Sequence, residues 1–216
     1  KAISLTEESL KQAKNLLPSV LKEVFEKGKA DGWEEKKLEE VSIYDKSKYK
    51  DLGKPYLGLE HIESHTGVYL GNKEPVNVKS STFKFDTRHV LYGRLRPYLN
   101  KVLVPDFEGH CSTEIFPILP KEELLRQYLC YWLKSPLIVA RIDGTWTGAQ
   151  MPRANMNEVI KFVLPVPNKA IQKSVVDSLD KVSEQSKQTQ IKLEEQLAYL
   201  KQLKSSILSK AFKGEL

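Results

Sequence analysis

Ile171 to Leu216, IQKSVVDSLDKVSEQSKQTQIKLEEQLAYLKQLKSSILSKAFKGEL, is the stretch on which the fold turns. Apolar residues at Val175, Leu179, Val182, Leu193, Leu197, Leu200, Leu203, Ile207 and Ala211 keep a spacing of three and four, with Ser186 and Thr189 standing in mid-run. That pattern lays one narrow apolar stripe along a long helix, and such a stripe needs a partner helix. The expected pairing residues are Leu179, Val182, Leu193, Leu197, Leu200, Leu203 and Ile207. Ser186 and Thr189 are expected to set register, and the outer faces of Ser183 to Gln190 to be solvated.

The end of this stretch occurs once before. Placing Leu10 on Leu197 brings Leu16 onto Leu203, Ser19 onto Ser206, Val20 onto Ile207, Leu21 onto Leu208 and Phe25 onto Phe212. SVLKEVFEKG, Ser19 to Gly28, thus recurs as SILSKAFKG, Ser206 to Gly214, one residue shorter before its glycine. What lies between is one repeat unit bracketed by helix. At the N-terminus Thr6, followed by Glu7 and Glu8, reads as a helix start. Leu10, Ala13, Leu16, Leu17, Val20, Leu21, Val24 and Phe25 mark its apolar stripe, which Pro18 is expected to kink or restart. Gly28 and Asp31-Gly32 close it.

From Trp33 to Pro167 the texture changes to short β-like runs separated by turn residues: Pro55 to Leu59, Gly67 to Leu70, Ser81 to Phe85 and Lys101 to Val104. A helix is expected over Lys121 to about Lys134, a loop over Gly144 to Asn155, and a strand over Val159 to Leu164. Pro165, Pro167 and Asn168 then form a hinge into the long helix. The organisation is helix (1–32), mixed domain (33–167) and long helix (168–216), an α+β chain.

At 216 residues and a formal charge of +6, neither size nor net charge identifies a function. The distribution of charge is more informative. Lys73, Lys79, Lys84, Arg88, Arg94, Arg96 and Lys101 face only Glu74 and Asp86 within the same stretch. That surplus suits a phosphate-facing surface, and equally a sheet edge guarded by lysines. Cys111 and Cys130 have no CxxC spacing, so neither a zinc site nor a disulfide framework is expected, and a reducing, cytoplasmic compartment is. No run approaches the roughly 18 apolar residues that span a membrane. Lys1 in place of methionine reads as a trimmed or partial chain.

The motifs of catalysis are missing from the sequence. His61, Glu63 and His65 would share one face of an extended segment, conceivable as metal ligands but more readily a polar strand face, and they do not form HExxH. No GxGxxG, phosphate loop or GxSxG elbow occurs, and the acidic residues are too dispersed for a metal-dependent nuclease. A binder without metal or cofactor is expected.

Three stretches carry that binding. In Tyr92 to Lys101, YGRLRPYLNK, an extended chain would put Arg94 and Arg96 on one face with Tyr92 and Tyr98, a set suited to phosphate or guanine. The structural alternative makes Arg94 an anchor on a carboxylate such as Glu114. In Gly144 to Asn155, Thr145, Thr147, Gln150 and Arg153 offer donors at low steric cost, fit either for a DNA groove or for an ordered Ω-loop. Gly109 to Glu114 is the third and weakest.

VLYGRLRPYLNKV (Val90 to Val102), GHCSTE (Gly109 to Glu114), TGAQMPRAN (Thr147 to Asn155), LPVP (Leu164 to Pro167) and the terminal SILSKAFKGEL, in that order, resemble the specificity (S) subunit of type I restriction-modification systems. The resemblance implies a target recognition domain over Trp33 to Pro167 that reads one half of a bipartite site in double-stranded DNA. It implies that the helices pair antiparallel as a spacer, hold a second recognition domain and bind methyltransferase (M) subunits, to which the restriction (R) subunit attaches. Catalysis, S-adenosylmethionine and ATP belong to those partners. A single recognition domain departs from the usual two, which implies half of a longer subunit or a half-subunit that pairs with its own copy. On this reading Lys73, Lys79, Lys84, Arg94, Arg96, Lys101, Thr145, Thr147, Gln150 and Arg153 are the DNA-binding candidates. Arg94, Arg96, Lys101 and Arg153 would serve backbone contacts or folding, and Lys73 to Lys84 and Gly144 to Gln150 the bases. The competing expectation is a coiled-coil assembly protein with a protein-binding middle domain, and a solitary DNA-modifying enzyme is a third.

Overall fold

A computed structural model describes residues 1–49, 53–146 and 151–214. In chain order the elements are α1 (Ala2–Ala30), β1 (Glu35–Lys37), α2 (Leu38–Val41), β2 (Ser42–Tyr44), β3 (Tyr56–Leu57), β4 (Thr82–Phe85), β5 (Val90–Gly93) and β6 (Val102–Leu103). They continue with β7 (Gly109–Ser112), β8 (Ile115–Pro120), α3 (Arg126–Lys134), α4 (Pro136–Asp143), α5 (Met156–Val159), β9 (Val163–Pro165) and α6 (Lys169–Phe212). The expected α+β class, with a shorter helix first and a long one last, is borne out. Two compact units divide the chain at other points than the composition does: Lys1–Val20 with Asp177–Leu216, and Leu21–Val176.

The first unit is a helix pair. Lys201 lies 3.3 Å from Glu7 and Lys14 lies 3.0 Å from Glu194, so the chain's own N-terminal helix runs antiparallel to α6. Leu179 and Ser186 are buried and Val182, Leu193, Leu197 and Leu200 half-buried, a heptad alternation of three and four. The seam fades where Leu203 and Ile207 are exposed, so those two expected pairing residues are not enclosed in it. Ser186 holds register as expected: its Oγ donates to the Ala13 carbonyl at 2.7 Å and accepts from Gln190 Nε2 at 2.9 Å. Thr189 is exposed and does not, because the seam passes through position 190 instead. The helix α1 begins at Ala2, four residues before Thr6, whose hydroxyl donates back to the Ala2 carbonyl. It runs through Pro18 without a break, tertiary packing overriding the lost hydrogen bond.

In the second unit the end of α1 packs inward. Leu21 and Phe25 are buried, and the Phe25 ring meets Tyr128 of α3 edge-on at 5.5 Å. Gly28 lets the Trp33 ring lie against the helix, since a Cβ there would sit 2.3 Å from it. Three sheets follow: β1 with β9; β2-β8-β5-β6; and β3-β7-β4, where β3 pairs parallel to β7 and the other pairings are antiparallel. Leu57, Ile62, Phe85, Leu91, Leu103, Cys111 and Ile115 form a core cluster that joins residues of the last two sheets. Burial pushes the Cys111 thiol well above its ordinary value, so it acts as a small apolar residue.

Sequence expectations met part of this. Gly67 to Leu70 makes only an isolated bridge, Ile62 to Tyr69, and Val159 to Leu164 divides between α5 and β9. The first turns of α6 are tied down by Gln172, fully buried, which accepts from Leu125 N at 2.9 Å and donates to the Glu123 and Pro167 carbonyls at 2.8 and 2.7 Å.

Candidate nucleic-acid interface

The run Arg94 to Lys101 is not extended. Arg96 and Asn100 take left-handed conformations, φ 52° and 48°, on either side of a single 3-10 turn at Pro97–Leu99. Arg96 N donates to the Pro152 carbonyl and Ala154 N to the Arg94 carbonyl, so this run is bridged to Pro152 to Ala154. The consequence for the expected shared face is a correction: Tyr92 is buried in β5, while Arg94 turns to Glu114 and Arg96 and Tyr98 stay exposed.

Glu114 is the centre of the site. Arg94 donates to it from Nε at 2.8 Å and Nη2 at 3.3 Å, and Arg153 Nε reaches both oxygens at 3.1 and 3.2 Å. The carboxylate anchor weighed for Arg94 is therefore present, and it holds Arg153 as well. Burial works against the charge on Glu114, yet the hydrogen bonds and charge of Arg94, then those of Arg153, outweigh it and hold the carboxyl below its ordinary value. A depressed carboxyl stabilises the fold above the ordinary carboxylate range, and that stability is lost as pH falls through it. The expected result is a urea midpoint that falls from pH 6 to pH 3 more steeply in wild type than in Glu114→Gln.

The other candidates are placed as follows. Lys73 pairs with Asp106 at 2.7 Å, and Lys101 Nζ donates to the Leu59 carbonyl at 2.7 Å. Lys79 and Lys84 are exposed. Thr145 Oγ1 donates to the Ile142 carbonyl and accepts from Asn155 N, so its hydroxyl closes the loop at its base. Thr147 and Gln150 lie outside the described residues. His61 Nδ1 accepts from Gly58 N, His65 has φ 66°, and no metal-holding group of His, Cys, Asp or Glu occurs among the described residues.

Arg94 and Arg153 line a cleft of about 540 Å³ together with Tyr44, Lys46, Phe83 and Asn157. Lys46 was missed in the sequence because it lies outside the basic stretch. The signal for it was the alternation Lys46, Lys48, Lys50, which marks one face of an extended segment. Lys48 sits opposite Phe83 in an isolated bridge, which lays Lys48 alongside β4.

Comparison with known proteins gives consistent results. Residues 20–199 match the sequence model of the type I restriction modification DNA specificity domain. The specificity subunit of the type I restriction enzyme EcoDI of Escherichia coli is 27% identical over 214 residues, covering 96% of this chain and 46% of that protein. The chain thus spans about half the length of the curated relative it matches. A chain from a structure of type I R-M system assembly and conformational transition aligns with a TM-score of 0.75 at 21% identity, covering 99% of this chain and 55% of that one. The HsdS subunit of Thermoanaerobacter tengcongensis aligns at 0.64 and 22%, covering 100% and 54%. These two likenesses establish the fold. No described helix is long and apolar enough to cross a membrane.

Proposed function

The chain belongs to the type I restriction modification DNA specificity family, and from that premise we propose that its mixed domain reads one half of a bipartite target in double-stranded DNA. The family match across residues 20–199 carries this reading. The chain is itself non-catalytic; it scaffolds methyltransferase subunits and, through them, the restriction subunit. Sequence-independent affinity comes from cations facing phosphates, and Lys46, Lys48, Lys79, Lys84 and Arg96, which form no ion pair among the described residues, are suited to that.

A second recognition domain completes the site. What supports it is the internal repeat: Leu21 and Phe25 are 2% and 8% exposed, whereas their counterparts Leu208 and Phe212 are 47% and 88% exposed. The same helix end is buried in one copy and bare in the other, so the bare end is a seat for another recognition domain, from a longer chain or from a second copy.

Co-expression with the methyltransferase subunit encoded beside it, followed by long-read mapping of methylated adenines on a plasmid, tests this. The expected result is a bipartite motif. A palindromic motif means self-pairing, and an asymmetric one a different second arm. An assembled complex that leaves no motif would overturn the reading in favour of a coiled-coil assembly protein.

A further inference from the structure

The cleft beside Glu114 holds more positive charge than the fold consumes. Lys46, Arg94 and Arg153 contribute three cations against the single carboxylate of Glu114. Arg153 spends only Nε on that carboxylate, so its terminal nitrogens make no hydrogen bond to described residues, and Arg94 keeps Nη1 in the same condition. Lys46 is exposed, its Nζ 4.8 Å from the Tyr44 ring centre and without an ion pair among the described residues.

The two guanidinium groups are held in fixed directions. The backbone of Arg94 is bonded to Glu114 and to Ala154, one residue past Arg153, and Glu114 spans the two guanidinium groups. Beneath them lies an aromatic floor: Tyr44 is tilted against Phe116 at 4.4 Å and edge-on to Phe83 at 6.1 Å. Burial raises the Tyr44 hydroxyl to about 12, so the floor is neutral at physiological pH. Forked donors with two surplus charges suit a phosphodiester, whose oxygens accept several N–H groups at once. An apolar aromatic floor suits the sugar next to it. A cleft of about 540 Å³ has room for a phosphodiester together with the sugar beside it.

Resting on the DNA-reading function above, we propose that this cleft clamps one backbone phosphodiester of the DNA target between Lys46 and the free edges of Arg94 and Arg153, with Glu114 as the positioning residue that splays the two guanidinium groups. The contact fixes the recognition domain on the duplex and reads no base. Lys46 belongs to the clamp because it is the cation of the three that the fold leaves unpaired.

The test uses the chain assembled with its methyltransferase subunit and duplexes in which a neutral methylphosphonate replaces one phosphate at a time. Affinity is measured for wild type, Lys46→Ala and Arg153→Lys; Lys46 is exposed, so its variant tests contact without disturbing the core. One neutralised position is expected to weaken wild type about tenfold and Lys46→Ala by clearly less, since only Arg94 and Arg153 still face that phosphate, and Lys46→Ala to weaken all sequences alike while lowering the slope of log K against log salt by about one. Arg153→Lys, which keeps charge but loses the fork, is expected to lose affinity at the same position. Selective wild-type binding with no position coupled to Lys46 overturns the clamp and leaves the DNA reading standing. Inorganic phosphate that competes through Lys46 without a coupled position assigns the cleft to a free anion and likewise overturns it. A wild-type complex that binds no duplex selectively overturns both.

Discussion

Phe25→Ala is expected to cost about 3–5 kcal/mol of folding stability, the range for removing a buried aromatic ring and leaving its cavity. Phe212→Ala is expected to change the stability of the isolated chain by less than about 0.5 kcal/mol. The two residues occupy the same place in the repeat, so helix propensity cannot separate them; burial does, at 8% against 88% exposure. Phe25 loses its edge-on contact with Tyr128, and the thermal midpoint should fall by on the order of 10 °C. In the assembled complex the order changes. If a second recognition domain seats on the bare helix end, Phe212→Ala weakens that assembly, and mass measurement of the complex across a dilution series would show it. Equal thermal midpoints for the two variants would contradict the burial difference, and unchanged assembly by Phe212→Ala would remove the seat.

Gln172→Glu is expected to destabilise the fold by about 3–5 kcal/mol, near the cost of leaving a buried charge uncompensated. The Nε2 group of Gln172 donates to two carbonyls, Glu123 and Pro167, while its oxygen accepts from Leu125 N. Glutamate replaces the donor by an acceptor facing two acceptors, at a position with no solvent exposure. Gln172→Leu keeps the volume and buries no charge, so it is expected at the low end of that range, about 3 kcal/mol, with Leu125 N and the two carbonyls left unpaired at about 1 kcal/mol each. Urea unfolding of both variants checks the order. A glutamate variant as stable as wild type would mean that the root of α6 opens to water.

The helices were legible in the sequence because α6 is 44 residues long and its apolar spacing repeats many times over. The repeat and the ordered motifs led to the family as well. Ser186 was legible as a register residue, whereas Thr189 was not separable from its neighbour Gln190, since either fits a spacing of three or four. The mixed domain was harder. Strands such as β3 and β6 have two residues each, too few for a period of two to emerge, and β3 pairs with β7 from more than fifty positions away.

The candidate site followed the same division. The residue types of the interface, arginines beside aromatics and a loop of small donors, stood in the sequence as donors without targets. Their targets were supplied by the fold: Glu114 for Arg94 and Arg153, the Leu59 carbonyl for Lys101, Asp106 for Lys73. Lys46 entered the site only because, just past the end of β2, it lines the same cleft as Phe83 and Arg94. By itself the sequence determined the two helices, their repeat and the family, because each is written in local spacing or in the order of short motifs; that the N-terminal helix is the partner of α6 was decided by the fold. Which cations are consumed by the fold and which are left without an ion pair among the described residues was decided by tertiary structure alone, since an ion pair depends on distance in space and residues 20 to 39 positions apart carry no local mark of meeting.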